Sequence, residues 1–284
     1  MLYIAPERLI QERSLQLLES TKVSLFAIDE AHCISQWGPA FRPEYELLGN
    51  LQDRFPGVPL VALTATADEV TRGDIVQRLF SGNAQTVVLG FDRPNIKLTV
   101  EMKGNWKAQL LDIVSKHEGA SGIVYCLSRK KTEEAAALLC ENGISALAYH
   151  AGMEREVRDI NQNRFMTEPG LVITATIAFG MGIDKADVRF VVHTDLPGSV
   201  EAYYQEFGRA GRDGAPAEAH MLYGLGDIAS RRRFIEDAET GPEHKRREHK
   251  RLDTLVAYCE SPTCRRVGLL AYFGEVSEPC GNCD

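Results

Sequence analysis

The chain has 284 residues, 44% hydrophobic and 25% charged, with a formal net charge of −8. That length holds two compact domains and a small third one, and the composition is that of a globular protein, not a disordered or fibrous one. No apolar run approaches membrane-spanning length and Met1–Pro6 lacks the basic start and apolar core of a secretory signal, so the chain reads as cytoplasmic, with no membrane partner.

Short apolar runs predict strands at Val23–Ile28, Leu60–Leu63, Gly122–Cys126, Ala146–Tyr149, Leu171–Thr174, Arg189–His193 and His220–Tyr223. Helical patterns lie between them, among them Lys130–Glu141, Arg155–Phe165 and Val200–Phe207. Nearly continuous apolar strands alternating with helices predict an α/β protein built on parallel sheets. Ligands gather at the carboxyl ends of such strands. This pattern puts Asp29, Thr64, Ser128 and Thr174 just after a strand. Phe91-Asp92-Arg93-Pro94-Asn95 breaks the alternation, because a proline forces the residue before it toward extended backbone. A second break falls near Gly224-Leu225-Gly226, after which the chain turns basic and helical, then cysteine-bearing. The predicted domains are therefore 1–93, 94–224 and 225–284.

Asp29-Glu30-Ala31-His32 follows the first apolar run. Adjacent carboxylates at a strand end can hold Mg²⁺ and polarise a water for attack on a γ-phosphate; Asp29 suits the metal and Glu30 the water. Thr64-Ala65-Thr66 stands in the same strand-to-loop setting, with hydroxyls that could bond to Asp29 or His32. Gln205, Arg209 and Arg212 are spaced i, i+4 and i+7, so a continuing helix would align them on one face. Arginine is always charged and binds phosphate oxygens bidentately, which suits it to a nucleotide. No Gly-Lys-Ser or Gly-Lys-Thr phosphate loop occurs. Net negative charge argues weakly against nucleic-acid binding, since phosphate contacts need local positive charge. The bases are concentrated, however, in Arg231–Arg233 and Lys245–Arg251, which otherwise read as solvated helix faces.

The chain resembles the RecQ family of DNA helicases, within helicase superfamily two. The resemblance runs through Asp29–Gly38, Phe41–Tyr45, Leu63–Ala67 and Phe91–Ile96, then Tyr149–Gly152, Ala178–Lys185 and Gln205–Gly214. It implies two RecA-like lobes, the first incomplete and lacking its phosphate loop, followed by a small helical zinc-binding subdomain. It implies an ATP-dependent motor that hydrolyses ATP between its lobes, moves 3′ to 5′ on single-stranded DNA, and opens forked DNA in replication, recombination or repair. The cofactors implied are ATP, Mg²⁺ and Zn²⁺, and the location a bacterial-type cytosol, associated with the nucleoid. Asp29, Glu30, Arg209 and Arg212 would be catalytic, with Arg212 as the arginine finger. His32, Thr64, Thr66, Asp184 and Gln205 would couple the nucleotide to movement. Ser35, Gln36, Trp37, Phe41 and Arg42 would meet DNA, the aromatic rings by stacking on bases. Pro39-Ala40 departs from the His-Asp usual there, and weakened coupling of DNA binding to hydrolysis is expected.

Of the seven cysteines, Cys33, Cys126 and Cys140 look isolated, whereas Cys259, Cys264, Cys280 and Cys283 cluster at the end. By spacing alone the last four make a complete thiolate zinc site. The resemblance instead implies Cys264, Cys280 and Cys283 as ligands, a fourth beyond Asp284, and Cys259 as a bystander. Two competing readings are an RNA helicase of the same superfamily and a non-catalytic DNA-binding module. The module would bind through Arg231–Arg233, Lys245–Arg251 and Arg265-Arg266 and ignore nucleotide.

Overall fold

A computed structural model describes residues 1–35, 42–180 and 183–284. The chain divides into two compact units, Met1–Gly90 and Phe91–Asp284. Helices of eight residues or more are numbered in chain order.

In the first unit, β1 (Phe26–Ile28) pairs in parallel with β2 (Leu60–Ala62), Ala27 standing opposite Val61. Helices α1 (Glu12–Glu19) and α2 (Glu69–Phe80) accompany them. Asp68 caps α2 by accepting the Thr71 N–H at 2.8 Å, satisfying one of the first-turn donors a helix leaves unpaired. Ile28, Ala31, Ile34, Tyr45, Leu48, Ile75 and Leu79 form the core of this unit. That core sits under the turn that follows β1 and fixes where its carboxylates emerge.

The second unit is built on six parallel strands: β3 (Ile96–Met102), β4 (Ser121–Tyr125), β5 (Ala146–Tyr149), β6 (Val172–Ala175), β7 (Val188–His193) and β8 (Ala217–Tyr223). Their order across the sheet is β3-β8-β7-β4-β6-β5. The helices are α3 (Trp106–Ser115), α4 (Arg129–Glu141), α5 (Arg155–Thr167), α6 (Val200–Phe207), α7 (Leu225–Asp237), α8 (Pro242–Glu260) and α9 (Arg265–Tyr272). Strand β4 is buried along its whole length, as a central parallel strand covered on both faces must be. No helix among the described residues is long and apolar enough to cross a membrane.

Two expectations change. Strand β3 was not foreseen: its apolar residues Ile96, Leu98 and Val100 point inward, alternating with Lys97, Thr99 and Glu101, so it lacks the continuous apolar run sought. It is an edge strand, and edge strands tolerate such a face. Thr174 lies inside β6 rather than after it, fully buried, and donates its hydroxyl to the Thr132 carbonyl at 2.9 Å. It is a packing residue that ties the sheet to α4.

The terminal segment closes on that edge. Leu98 N–H reaches the Asn282 carbonyl at 3.4 Å and Asp284 N–H donates to the Leu98 carbonyl at 3.1 Å. The Cys283 segment thus runs alongside β3 and covers backbone groups an open edge would expose.

Candidate functional site

Asp29 is the first residue past β1 and is exposed; its Oδ1 accepts the Glu30 N–H at 2.9 Å. Glu30 takes a left-handed backbone conformation, φ 50° and ψ 40°, which costs a non-glycine residue about 1 kcal/mol or more. The turn is held there by Ala31 N–H bonding to the Leu63 carbonyl at 2.9 Å and by Tyr45 donating its hydroxyl to the Asp29 carbonyl at 3.2 Å. The twist brings Glu30 Oε2 to 3.3 Å from His32 Nδ1. The same nitrogen is 2.9 Å from Thr64 Oγ1, so Thr64 meets His32 and not Asp29. Thr64 Oγ1 also accepts the Thr66 N–H at 3.3 Å, and Thr66 is buried. The carboxylate turn after β1 and the hydroxyl loop after β2 are therefore joined through one imidazole. Asp29 and Glu30 offer hard carboxylate oxygens at a strand end, the donor chemistry Mg²⁺ prefers.

Ser35 is fully buried and donates its hydroxyl to Asp74 Oδ2 at 2.6 Å. Arg42 is ion-paired with Glu7 and lies over the Tyr45 ring, 5.6 Å from its centroid. Arg42 remains about 41% exposed. Gln36, Trp37, Pro39, Ala40 and Phe41 lie outside the described residues, as do Met181 and Gly182.

In the second unit, α6 ends at Phe207, and Gln205 is half-buried in its last turn. The helix does not continue, so the expected single face is not formed: Arg209 and Arg212 lie on the turns that follow. Gly211 shapes the turns beyond the helix end. It has φ +54°, and a Cβ there would sit 2.4 Å from Asn95 Nδ2. Only glycine combines that backbone with that approach. Arg209 is buried and donates to the Gly180 carbonyl. Arg212 is more exposed, donating to the Ile183 carbonyl at 2.9 Å and to Asp184 Oδ1 at 2.7 Å. Asp184 is itself 85% exposed.

The arginine turn is braced from Phe91–Ile96, a role its sequence did not reveal. Arg93 donates to three backbone carbonyls, those of Gly208 at 2.9 Å, Ala210 at 2.8 Å and Gly211 at 3.1 Å. Asn95 Nδ2 adds bonds to the Gly211 and Ala215 carbonyls at 2.8 and 2.9 Å. Arg266 bonds to Asp92 Oδ1 and to the Ile96 carbonyl, both at 2.6 Å, and Phe91 stacks on Phe273 at 4.3 Å. The segment Phe91–Ile96, read as a boundary and as part of the family resemblance, thus ties α9 to the arginine turn. Its signal was present as Arg-Pro-Asn, but the carbonyls it serves are more than a hundred residues away.

The thiols of Cys264, Cys280 and Cys283 converge. Cys264 Sγ is 3.5 Å from Cys280 Sγ and 3.6 Å from Cys283 Sγ. Tetrahedral Zn²⁺ with bonds of about 2.3 Å spaces its sulfurs by roughly 3.8 Å, so three corners are present. Cys280 N–H points at Cys264 Sγ and Asn282 N–H at Cys280 Sγ, at 3.4 and 3.3 Å. Burial opposes ionisation of Cys264, but amide donors from Cys280 and Val267 and the neighbouring thiols hold it down at about 6. Such donors favour thiolates, the form that binds metal. Cys259 stands outside the cluster, 2% exposed in the core, where burial pushes it up to about 12. The four-cysteine site allowed by spacing is therefore not formed.

Some of the proposed DNA-binding bases are engaged within the fold, while Arg232, Arg233, Arg246 and Lys250 are exposed. Arg231 Nε bonds to the Leu196 carbonyl at 2.7 Å, Arg232 pairs with Asp253 at 3.0 Å, and Arg251 pairs with Glu248. Arg265 reaches Asp284 and the carbonyls of Tyr258 and Cys259, and Arg266 is only 5% exposed.

Three family profiles match. They are a DEAD/DEAH box helicase domain over residues 1–73, a helicase conserved C-terminal domain over 105–214, and a RecQ zinc-binding domain over 225–284. The chain is 49% identical to the ATP-dependent DNA helicase RecQ of Haemophilus influenzae, over all of this chain and 46% of that protein. It is 48% identical to the protein of the same name from Pasteurella multocida, over all of this chain and 45% of that one. It therefore spans about half the length of these relatives. Among solved structures it resembles the Mycobacterium smegmatis helicase Lhr bound to ssDNA and AMP-PNP, with a TM-score of 0.57 at 18% identity, covering 91% of this chain and 41% of the other. That likeness supports a fold of the RecA-like helicase type.

Proposed function

We propose, for a chain that belongs to the RecQ family of helicases, that it forms part of a motor coupling ATP hydrolysis to 3′–5′ movement on DNA. The observation that carries this reading is the junction of Glu30, His32 and Thr64 after two adjacent parallel strands. Such a junction links a group that orients water to a loop that can respond.

Asp29 is the residue to hold Mg²⁺, and Glu30 the residue to accept a proton from the attacking water. The metal, when bound, neutralises phosphate charge in the transition state. His32 keeps the Glu30 carboxylate oriented and passes its position to Thr64. Arg209 and Arg212 supply positive charge that a nucleotide phosphate would meet. Gln205 and Asp184 flank them. Cys264, Cys280 and Cys283 hold Zn²⁺, with the remaining corner filled from outside this set. Single-stranded and forked DNA are the proposed partners, with Trp37, Gln36 and Phe41 in the loop that meets unpaired bases. The proposed location is a bacterial-type cytosol at the nucleoid, the bacterial identity following the two relatives named above.

The test places this sequence in a protein of the relatives' full length and measures ATP turnover with and without single-stranded DNA, together with unwinding of a 3′-tailed duplex. DNA-stimulated turnover and unwinding, both lost in Glu30→Gln, are expected. Nucleotide-independent DNA binding with no turnover would replace the motor by the non-catalytic module. The inward commitment of Arg265 and Arg266 already counts against that module.

A further inference from the structure

A second group of metal-ligating side chains lies away from both sites above. His117 sits in the turn after α3; Glu218 and His220 are two residues apart on β8 and so share one face of the sheet. Glu218 Oε2 is 2.8 Å from His220 Nε2 and 3.4 Å from His117 Nε2, and all three donor atoms lie within 4.8 Å of one another. His117 Nε2 is shut off from solvent and makes no hydrogen bond, although it faces the carboxylate. Its ring is held flat against Phe190, 4.9 Å between centroids and 25° between planes, so its direction is set before any ligand arrives.

The geometry points to a divalent transition-metal site, Zn²⁺ being the fitting ion, formed by His117 Nε2, Glu218 Oε2 and His220 Nε2. Tetrahedral Zn²⁺ with N and O ligands at about 2.0–2.2 Å spaces them by roughly 3.3 Å. The His117–Glu218 edge already has that length, and the His220–Glu218 edge needs to open by about half an ångström. Two imidazoles and one carboxylate suit Zn²⁺, whereas Mg²⁺ and Ca²⁺ prefer oxygen alone. Lys97 stands across from Glu218 on β3, and Lys116 is engaged by Asp112 at 2.6 Å. Glu218 is about a third exposed, which leaves a path for the ion and a corner for water.

A bound ion would pin the turn after α3 to β8, whose first residue, Ala217, follows the arginine turn by a few positions. The site is therefore a staple behind the segment carrying Arg209 and Arg212, and it stands independently of the activity proposed above.

The test uses the full 284-residue chain, with one equivalent of Zn²⁺ already on the cysteines, titrated with further Zn²⁺ while histidine ring nitrogens are followed by long-range ¹H–¹⁵N NMR. Of the seven histidines, His117 and His220 should show Nε2 shifts saturating at one added equivalent. Added Zn²⁺ should also raise the Tm, since a ligand that binds only the folded state stabilises it. Glu218→Gln keeps both rings and the Phe190 stack, and should weaken binding at least tenfold. His220→Gln should abolish the His117 shift. Shifts confined to the surface residues His244 and His249, or an undiminished response in Glu218→Gln, would overturn the site.

Discussion

Arg212 Nη1 stands 2.7 Å from Asp184 Oδ1. An arginine suited to a phosphate is held by a carboxylate that is itself largely exposed, while the Ile183 carbonyl takes a second bond from the same nitrogen. An exposed ion pair is worth little, about 1 kcal/mol or less, so Arg212 can exchange this partner for a phosphate at small cost. Arg209, buried against Gly180, has no such freedom.

In a protein of the relatives' full length, Arg212→Ala should lower DNA-stimulated ATP turnover by roughly 10³-fold or more, the usual worth of an arginine finger. DNA affinity should change little. Asp184→Asn, which keeps the shape but weakens the tether, should change turnover by less than about tenfold. Steady-state ATPase assays at saturating DNA would check both; wild-type turnover in Arg212→Ala would remove it from the site.

Arg93 holds the arginine turn by three carbonyls, so Arg93→Ala strands acceptors that are partly buried. A loss of about 2–4 kcal/mol in the stability of the second unit is expected. Arg93→Lys should recover only part of it, because one ammonium cannot span the carbonyls of Gly208, Ala210 and Gly211 as a planar fork does. Denaturant melts of the three proteins measure this.

Asp195, just past β7, receives Lys103 Nζ at 2.8 Å and Lys131 Nζ at 2.7 Å on one oxygen. The Leu127 N–H and the Thr194 hydroxyl, each at 3.0 Å, bond to the other. Burial alone would raise its pKa; the two ammonium groups overcome this and hold it at about 2, below the ordinary 3.8. A carboxylate depressed on folding stabilises the protein above its unfolded value and loses that contribution as pH falls through the folded one. Stability should therefore drop between about pH 4 and pH 2, by on the order of 2 kcal/mol from this group. Asp195→Asn, which leaves two lysines facing a neutral amide, should cost about 3 kcal/mol at neutral pH and flatten that acid limb. Urea melts across the pH range test the pair of outcomes.

Cys264→Ser should release the zinc held by the cysteine cluster, and Cys259→Ser should retain it. Loss of about 2 kcal/mol on metal removal would lower the Tm of a unit this size by roughly 4–8 °C. Zinc analysis after gel filtration and thermal melts separate the two variants. Zinc lost in Cys259→Ser with an intact fold would restore the four-cysteine reading.

The sequence alone determined the parallel α/β plan, because buried central strands such as Gly122–Cys126 must be apolar throughout, and it brought out Asp29, Glu30, Arg209 and Arg212 through short local motifs. It also marked Cys264, Cys280 and Cys283, whose thiols converge. Only the tertiary structure decided what those residues touch. Edge strand β3 was hidden because half its residues face outward, and its sheet partner β8 begins more than a hundred residues later. The helix carrying Gln205 stops at Phe207, and in the turns beyond it Gly211 packs against Asn95, a contact no local pattern records. Arg93, Arg266 and His117 looked like ordinary charged or polar residues in the sequence. Hydrogen bonds and metal ligation depend on positions in space to a fraction of an ångström, and chain folding sets those positions from distant segments at once.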